Sequence, residues 1–157
     1  MAWRGKGGTV NDKTVLLRCR SCGTLNRLPA DRIFERPKCG RCKNILDFPK
    51  APVEVTGHTF EEEVLKWPGS VLVEFWSPQC GICTAIEPFI GKIASQKAGR
   101  LKVAMINIAK EWLLANRFDI RSTPVFLVYK NGKKVDELYG ALPKLQLEAW
   151  IESATGG

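Results

Sequence analysis

Residues 71–76 read Val-Leu-Val-Glu-Phe-Trp, a nearly continuous apolar run with one carboxylate inside it. Cys80-Gly81-Ile82-Cys83 follows four residues later. A run this short and this apolar reads as a strand covered on both faces, so helices must pack on each side of it. A Cys-x-x-Cys at a strand–helix junction is a redox signature more than a packing feature. Together the two features restrict this part of the chain to an α/β fold with a reactive dithiol at the end of a buried strand.

The flanking pattern agrees. Residues 53–55 alternate as a short strand, and Thr59-Phe60-Glu61-Glu62 reads as a capping box opening a helix to about residue 66. Trp67-Pro68-Gly69 ends that helix. A helix is predicted from Cys80 to about residue 97, with Pro88 inside it as a kink. Residues 101–108 read as a strand and 111–118 as a short helix with Trp112, Leu113 and Phe118 in the core. A strand at 125–129, an Asn131-Gly132 hairpin turn and a partner strand at 134–139 follow. The last helix is predicted from Pro143 to about residue 153, with Trp150 packed on the sheet.

The first third of the chain differs. Residues 1–50 hold 12 Lys+Arg against 4 Asp+Glu, and residues 51–157 hold 12 of each, so the whole net charge of +8 lies in the N-terminal part. Cys19-x2-Cys22-x16-Cys39-x2-Cys42 has zinc-ribbon spacing, each pair offering two thiolates from one tight turn. Gly23 and Gly40 each follow a knuckle cysteine, where tight turns favour glycine. Two disulfides or another thiophilic metal are the alternatives. With sulfur in all four positions the site is structural, and one zinc ion holds a segment too short to have its own core. The predicted organisation is a flexible N-terminus at 1–13, a zinc-ribbon module at 14–47, a stiff linker at 48–52 (Phe-Pro-Lys-Ala-Pro) and an α/β domain at 53–157. The module's cations offset the anionic zinc–thiolate centre. Phe34 is the one aromatic among them, which supplies a base-stacking platform poorly.

Within the dithiol, Cys80 falls at a helix N-cap, where backbone N–H groups and the helix dipole favour a thiolate. It is the candidate nucleophile, and Cys83, one turn inside, the resolving thiol. A third metal knuckle is the alternative, but it lacks a partner pair. Glu74 is expected to be buried, with a raised pKa that suits it to take the proton of Cys83. Its alternative is a place at an exposed strand edge. His58, the only histidine, reads as a loop residue.

At these residues the chain resembles the thioredoxin family, over about residues 53–155. The motifs are the Phe75-Trp76 strand end, Cys80-Gly81-x-Cys83, Pro88, Thr123-Pro124, Lys130-Asn131-Gly132 and Tyr139-Gly140-Ala141-Leu142. With the cysteine-rich N-terminus, it looks like the thioredoxin-2 type. The resemblance implies a thioredoxin fold, a central mixed sheet flanked by helices, with a small zinc-ribbon module in front. It implies a cis Pro124 against the dithiol, and a substrate groove formed by the Thr123 backbone, Trp76, Gln79, Ile82 and Gly140. It also implies protein-disulfide reduction, electron transport through thiols, and recharging by a thioredoxin reductase, without an organic cofactor. Four positions depart from the family pattern. Gln79 stands for tryptophan, Ile82 for proline, Glu74 for aspartate and Met105 for a lysine. The loss of that cation raises the Glu74 pKa further, and Ile82 makes the pair more oxidising.

The expectation is a cytoplasmic monomer, since no run approaches 18 apolar residues and no signal-peptide core follows Met1. The competing function is a redox-switched or nucleic-acid- or protein-binding module, in which the basic ribbon carries recognition and the second domain is a scaffold.

Overall fold

The computed structural model describes residues 14–33 and 35–156. The expected mobile segment 1–13 and the position of Phe34 lie outside the described residues.

β1 (Thr14–Arg18) pairs antiparallel with β2 (Leu25–Pro29), with the Cys19–Cys22 knuckle in the loop between them, and a Lys38–Ile45 bridge brackets the Cys39–Cys42 knuckle. Val15 and Leu17 alternate inward and meet Ile33, Leu46, Phe48 and two of the cysteines. Trp67, from the second part of the chain, closes this cluster. The Ile33 side chain occupies the place where Gly99, at φ +86°, would carry a Cβ. The ribbon therefore seats in a hollow that only glycine leaves open.

The second part is a five-stranded mixed sheet in the order β3-β5-β4-β6-β7. Its strands are β3 (Val53–Glu54), β4 (Ser70–Trp76), β5 (Leu101–Asn107), β6 (Val125–Lys130) and β7 (Lys133–Tyr139). β3 and β4 run parallel to β5, whereas β6 is antiparallel to both β4 and β7. The continuous apolar run of β4 has its reason here. Val71, Val73 and Phe75 enter one core with Phe60, Val64, Leu114 and Ala115. Leu72 enters the other, with Ile90 of α1 (Gly81–Gln96) and Leu147 and Ile151 of α3 (Lys144–Thr155). The sheet is thus the middle of three layers.

Asn131 and Gly132 both have positive φ, 51° and 81°, the pair a tight two-residue hairpin turn requires. Trp150 packs its ring 6.4 Å from that of Phe126. Pro143 is the N-cap of α3 and not its first residue, and Gly156 ends the helix at φ +81°.

Two local expectations are corrected. The predicted Thr59-x-x-Glu62 capping box does not form: no side chain caps the turn that follows, and Thr59 instead closes a turn with Thr56. The Thr56 N–H donates to Thr59 Oγ1 at 2.9 Å, and the Thr59 N–H returns to Thr56 O at 3.2 Å. With the Thr59 hydroxyl so engaged, the chain continues as a wide π-type turn, Glu61–Leu65, closed by Lys66 N–H on Glu61 O at 2.8 Å. The second concerns α2 (Trp112–Arg117), where Trp112 and Leu113 are 60% and 68% exposed. Six residues bury one stripe only. Leu114, Ala115 and the following Phe118 take it, the Phe118 ring meeting those of Phe60 and Phe75 at a tilt, so Trp112 and Leu113 face solvent.

Candidate active site and metal centre

β4 delivers the dithiol. Its last residue, Trp76, is fixed by the Ile108 N–H on its carbonyl at 2.9 Å. The chain then turns through Ser77, whose carbonyl accepts from the Cys80 N–H at 3.0 Å. The Ser77 hydroxyl holds Gln79 at both ends, taking its backbone N–H at 3.2 Å and meeting its Oε1 at 2.8 Å. Cys80 is the N-cap of α1, with extended backbone, and its Sγ accepts the Cys83 N–H at 3.1 Å. That donor would otherwise have no partner at a helix start, and it favours negative charge on the sulfur. Cys80 and Cys83 are joined as a disulfide, their Cα atoms 5.2 Å apart. Cys83 is buried, Cys80 half-exposed and Ile82 exposed.

The positions expected to border a groove converge on the same edge. β6 begins where β4 ends, because Val125 pairs with Phe75. The Thr123–Pro124 bond immediately before it is cis, as the resemblance implied. Gly140, in the left-handed region at φ +86°, donates its N–H to Pro124 O at 2.9 Å and so lies against the same turn.

Glu74 lies completely buried on the α1 side of β4, and neither carboxylate oxygen has a hydrogen-bond partner. Its lateral neighbours are Met105 on β5 and Phe126 on β6, both apolar. Burial pushes its carboxyl up to about 8, helped by the negative charge of Glu87. Met105 supplies no cation to oppose the shift. Glu87 was not singled out in the sequence. The available signal was its spacing: one turn beyond Cys83, it sits at the edge of the stripe that Cys83, Ile86, Ile90 and Ala94 bury.

Sequence reading also missed Lys102. It is buried on β5, donates to Glu63 O at 2.8 Å, pairs with the Glu63 carboxylate, and lies 3.7 Å from the centre of the Trp67 ring. Arg20, between Cys19 and Cys22, reaches the same carboxylate at 3.7 Å. A buried lysine needs such partners. The argument applied to Glu74 in its strand would have flagged Lys102 in residues 101–107.

Cys19, Cys22, Cys39 and Cys42 bring their four sulfurs within 4.8 Å of one another. The Cys19–Cys42 and Cys22–Cys39 pairs are each 3.6 Å apart. A tetrahedron of sulfurs about 2.3 Å from zinc has edges of roughly 3.7 Å, so the cluster fits a zinc site. The knuckles match each other in their backbone bonds. Cys19 N–H donates to Thr24 O and Gly23 N–H to Cys19 O, while Cys39 N–H donates to Asn44 O and Lys43 N–H to Cys39 O. The left-handed positions are therefore Gly23 and Lys43, at φ 78° and 66°, and Gly40 is not one of them. Gly40 instead gives its N–H to the buried Asn26 side chain at 2.9 Å. The Cys42 backbone N–H, ahead of that of Arg41 and the Asn26 side chain, draws the Cys39 thiol down to about 6, which suits a thiolate ligand.

Comparison with known proteins matches residues 51–153 to the thioredoxin family and residues 18–44 to the family described as thioredoxin 2, N-terminal. Thioredoxin 1 of Nostoc sp. is 40% identical over 102 residues, 65% of this chain and 95% of its own length. Thioredoxin C-3 of Corynebacterium nephridii is 28% identical over 138 residues, covering 88% of this chain and 94% of its own. A solved mutant thioredoxin from Halobacterium salinarum superimposes with a TM-score of 0.62 at 29% identity, over 69% of this chain and 95% of that one. The chain thus belongs to the thioredoxin family, in the type with an N-terminal zinc ribbon, and is a thiol–disulfide oxidoreductase.

Proposed function

We propose that Cys80 is the attacking sulfur, Cys83 the resolving one and Glu74 the proton acceptor in the reduction of protein disulfides. The Cys80 thiolate attacks one sulfur of the substrate disulfide, forming a mixed disulfide and releasing one substrate thiolate. Cys83 then gives its proton to the Glu74 carboxylate and attacks Cys80 Sγ. The enzyme disulfide forms, the second substrate thiolate leaves, and two electrons have passed to the substrate. Trp76, Gln79, Ile82, Thr123, Pro124 and Gly140 border the segment that enters. A thioredoxin reductase restores the dithiol, and no organic cofactor takes part. One zinc ion on the four ribbon cysteines is structural, since no ligand position is left for substrate. The working unit is a monomer in a reducing, cytoplasmic compartment, with the ribbon at 14–47, a linker at 48–52 and the catalytic domain at 53–157. The observation that carries this reading is the N-cap contact, Cys83 N–H on Cys80 Sγ, together with a buried carboxyl on the α1 side of β4.

Glu74 gives the reading a pH signature. A base with its carboxyl held up to about 8 is mostly protonated at neutral pH, and its ionised fraction grows as the pH rises. Release of the mixed disulfide should accelerate up to about pH 8 and level off above it. Glu74→Gln should slow the step about a hundredfold and flatten that rise, which stopped-flow rates across pH 6–9 would measure. Stability of the oxidised protein should move the other way. Folding raises this pKa above its ordinary 4.5, so the folded state keeps a proton that the unfolded chain releases. Stability therefore falls as pH climbs from about 4.5 to about 8, by about 1.4 kcal/mol per unit at most. Urea titrations of native and Glu74→Gln protein at both ends of that window read the difference. A native curve no steeper than the variant's refutes the assignment.

Ile82 carries a second expectation. In the first turn of α1 it leaves φ free and keeps an N–H that proline would lack, so native protein should be the more oxidising partner of an Ile82→Pro variant. Equilibration with glutathione measures both. An equal or lower potential for the native chain sinks this idea.

A further inference from the structure

The exposed apolar residues are unevenly distributed. Five of the eight large apolar side chains exposed among the described residues are Ile82, Trp112, Leu113, Tyr139 and Leu145. All five leave the sheet from one edge. β4 and β5 end there, side by side, with Trp76 paired to Asn107. β7 ends there, with Tyr139 opposite Val125. α1 begins at that edge, and α2 and α3 each follow within a few residues of a strand ending there. It is also the edge that carries the dithiol.

Trp112 and Leu113 stand out within this set. They belong to none of the groove positions named above, and the fold does not use them, since Leu114, Ala115 and Phe118 fill the core beneath. Nor are they on a long excursion. The N–H groups of Lys110 and Glu111 both turn back to Asn107 O, at 3.1 and 2.8 Å. Glu111 is further pinned by the Gly57 N–H on its Oε1 at 2.8 Å. Trp112 is therefore held within one turn of the end of β5, beside the strand that leads to Cys80. Meanwhile the residue just before Cys80 is the polar Gln79, which offers no flat apolar surface.

We propose that Trp112 and Leu113 form a docking platform for the protein that bears the substrate disulfide, and that it takes an apolar side chain flanking that disulfide. This rests on the dithiol reading given above. The occupant follows from continuity with the reacting sulfurs. Two sulfurs are too small to hold a protein, and even a transient protein complex covers roughly 600 Å² on each side. Such a footprint centred on Cys80 has a radius of about 14 Å. Adjacent strands lie about 4.8 Å apart, so the start of α2 falls inside it. An exposed tryptophan on a pinned helical turn loses little side-chain freedom when covered, which makes it an effective anchor.

The test compares a protein disulfide with a small one. Insulin and 5,5′-dithiobis(2-nitrobenzoic acid) are reduced by native protein and by a Trp112→Ser/Leu113→Ser variant. Both side chains are on the surface, so circular dichroism should be unchanged. For insulin, kcat/KM should fall about tenfold, with the loss in KM, and Trp112→Phe alone should stay close to native. The small disulfide cannot reach the platform and should be reduced at the native rate. Undiminished insulin reduction overturns the proposal, and so does an equal fall for both disulfides. A native protein that reduces neither would refute the dithiol roles instead, and this inference with them.

Discussion

Cys80→Ser is expected to lower protein-disulfide reduction by a thousandfold or more, about 4 kcal/mol of barrier, while leaving the zinc content unchanged. The reason is chemical. Serine keeps the N-cap geometry, because its oxygen can accept the Cys83 N–H as Cys80 Sγ does. A hydroxyl at that position is not ionised at neutral pH, however, and cannot attack a disulfide sulfur. Cys83→Ser should behave differently. Attack by Cys80 still occurs, so the variant should stall as a mixed disulfide that a non-reducing gel resolves and dithiothreitol releases. Zinc should be retained in both, because the ribbon cysteines form a separate cluster. Substantial insulin reduction by Cys80→Ser would overturn the assignment of the nucleophile.

Stripping the metal should have the largest effect on structure. The ribbon's apolar cluster is small: two of its seven buried members are Cys19 and Cys39, of the four-cysteine cluster that fits zinc. Structural zinc sites of this kind contribute about 10–16 kcal/mol of apparent binding energy, most of which is folding energy for a module this size. A strong chelator, or Cys39→Ser, should therefore melt residues 14–47 while the sheet persists. Amide hydrogen exchange measures both at once. β1 and β2 should lose their protection, and β4 and β5 should retain it. The loss should also loosen Trp67 and the Lys102–Glu63 pair, which the ribbon covers and Arg20 meets. Continued protection of β1 in the metal-free protein would show that the module holds itself together.

The legible parts of this molecule were those where one residue type answers one physical demand. The apolar run of β4 requires two covered faces, and both are present. Asn131-Gly132 requires a tight hairpin, and four cysteines at ribbon spacing converge. Glu74 could be placed because the apolar residues on both sides of it favour a covered strand over the exposed edge that was its alternative. Less legible were features that depend on which of several equal residues wins. Thr59 carries a capping-box pattern in sequence, but its hydroxyl is taken by the Thr56 N–H of the preceding turn and caps nothing after it. Trp112, Leu113 and Leu114 are all apolar neighbours, and only the helix length decides that the first two stay outside. Lys102 was legible only in part. Its place in an apolar strand marks it as a charge that needs partners, but Glu63, Trp67 and Arg20 come from other segments, so the strand could not name them.

The seating of Ile33 against Gly99 has one more consequence. Gly99 and Lys102 lie at the start of β5, whereas Cys80 follows the end of β4, parallel to it. Seven residues of strand separate the two ends, about 23 Å. The ribbon is thus anchored at the far end of the molecule, and its four thiolates are out of the nucleophile's range. The two sets of sulfur are insulated from one another. Within a single molecule the reactive pair cannot scavenge the ligands or scramble with them, and any exchange between the sets needs an encounter of two molecules, becoming rarer with dilution.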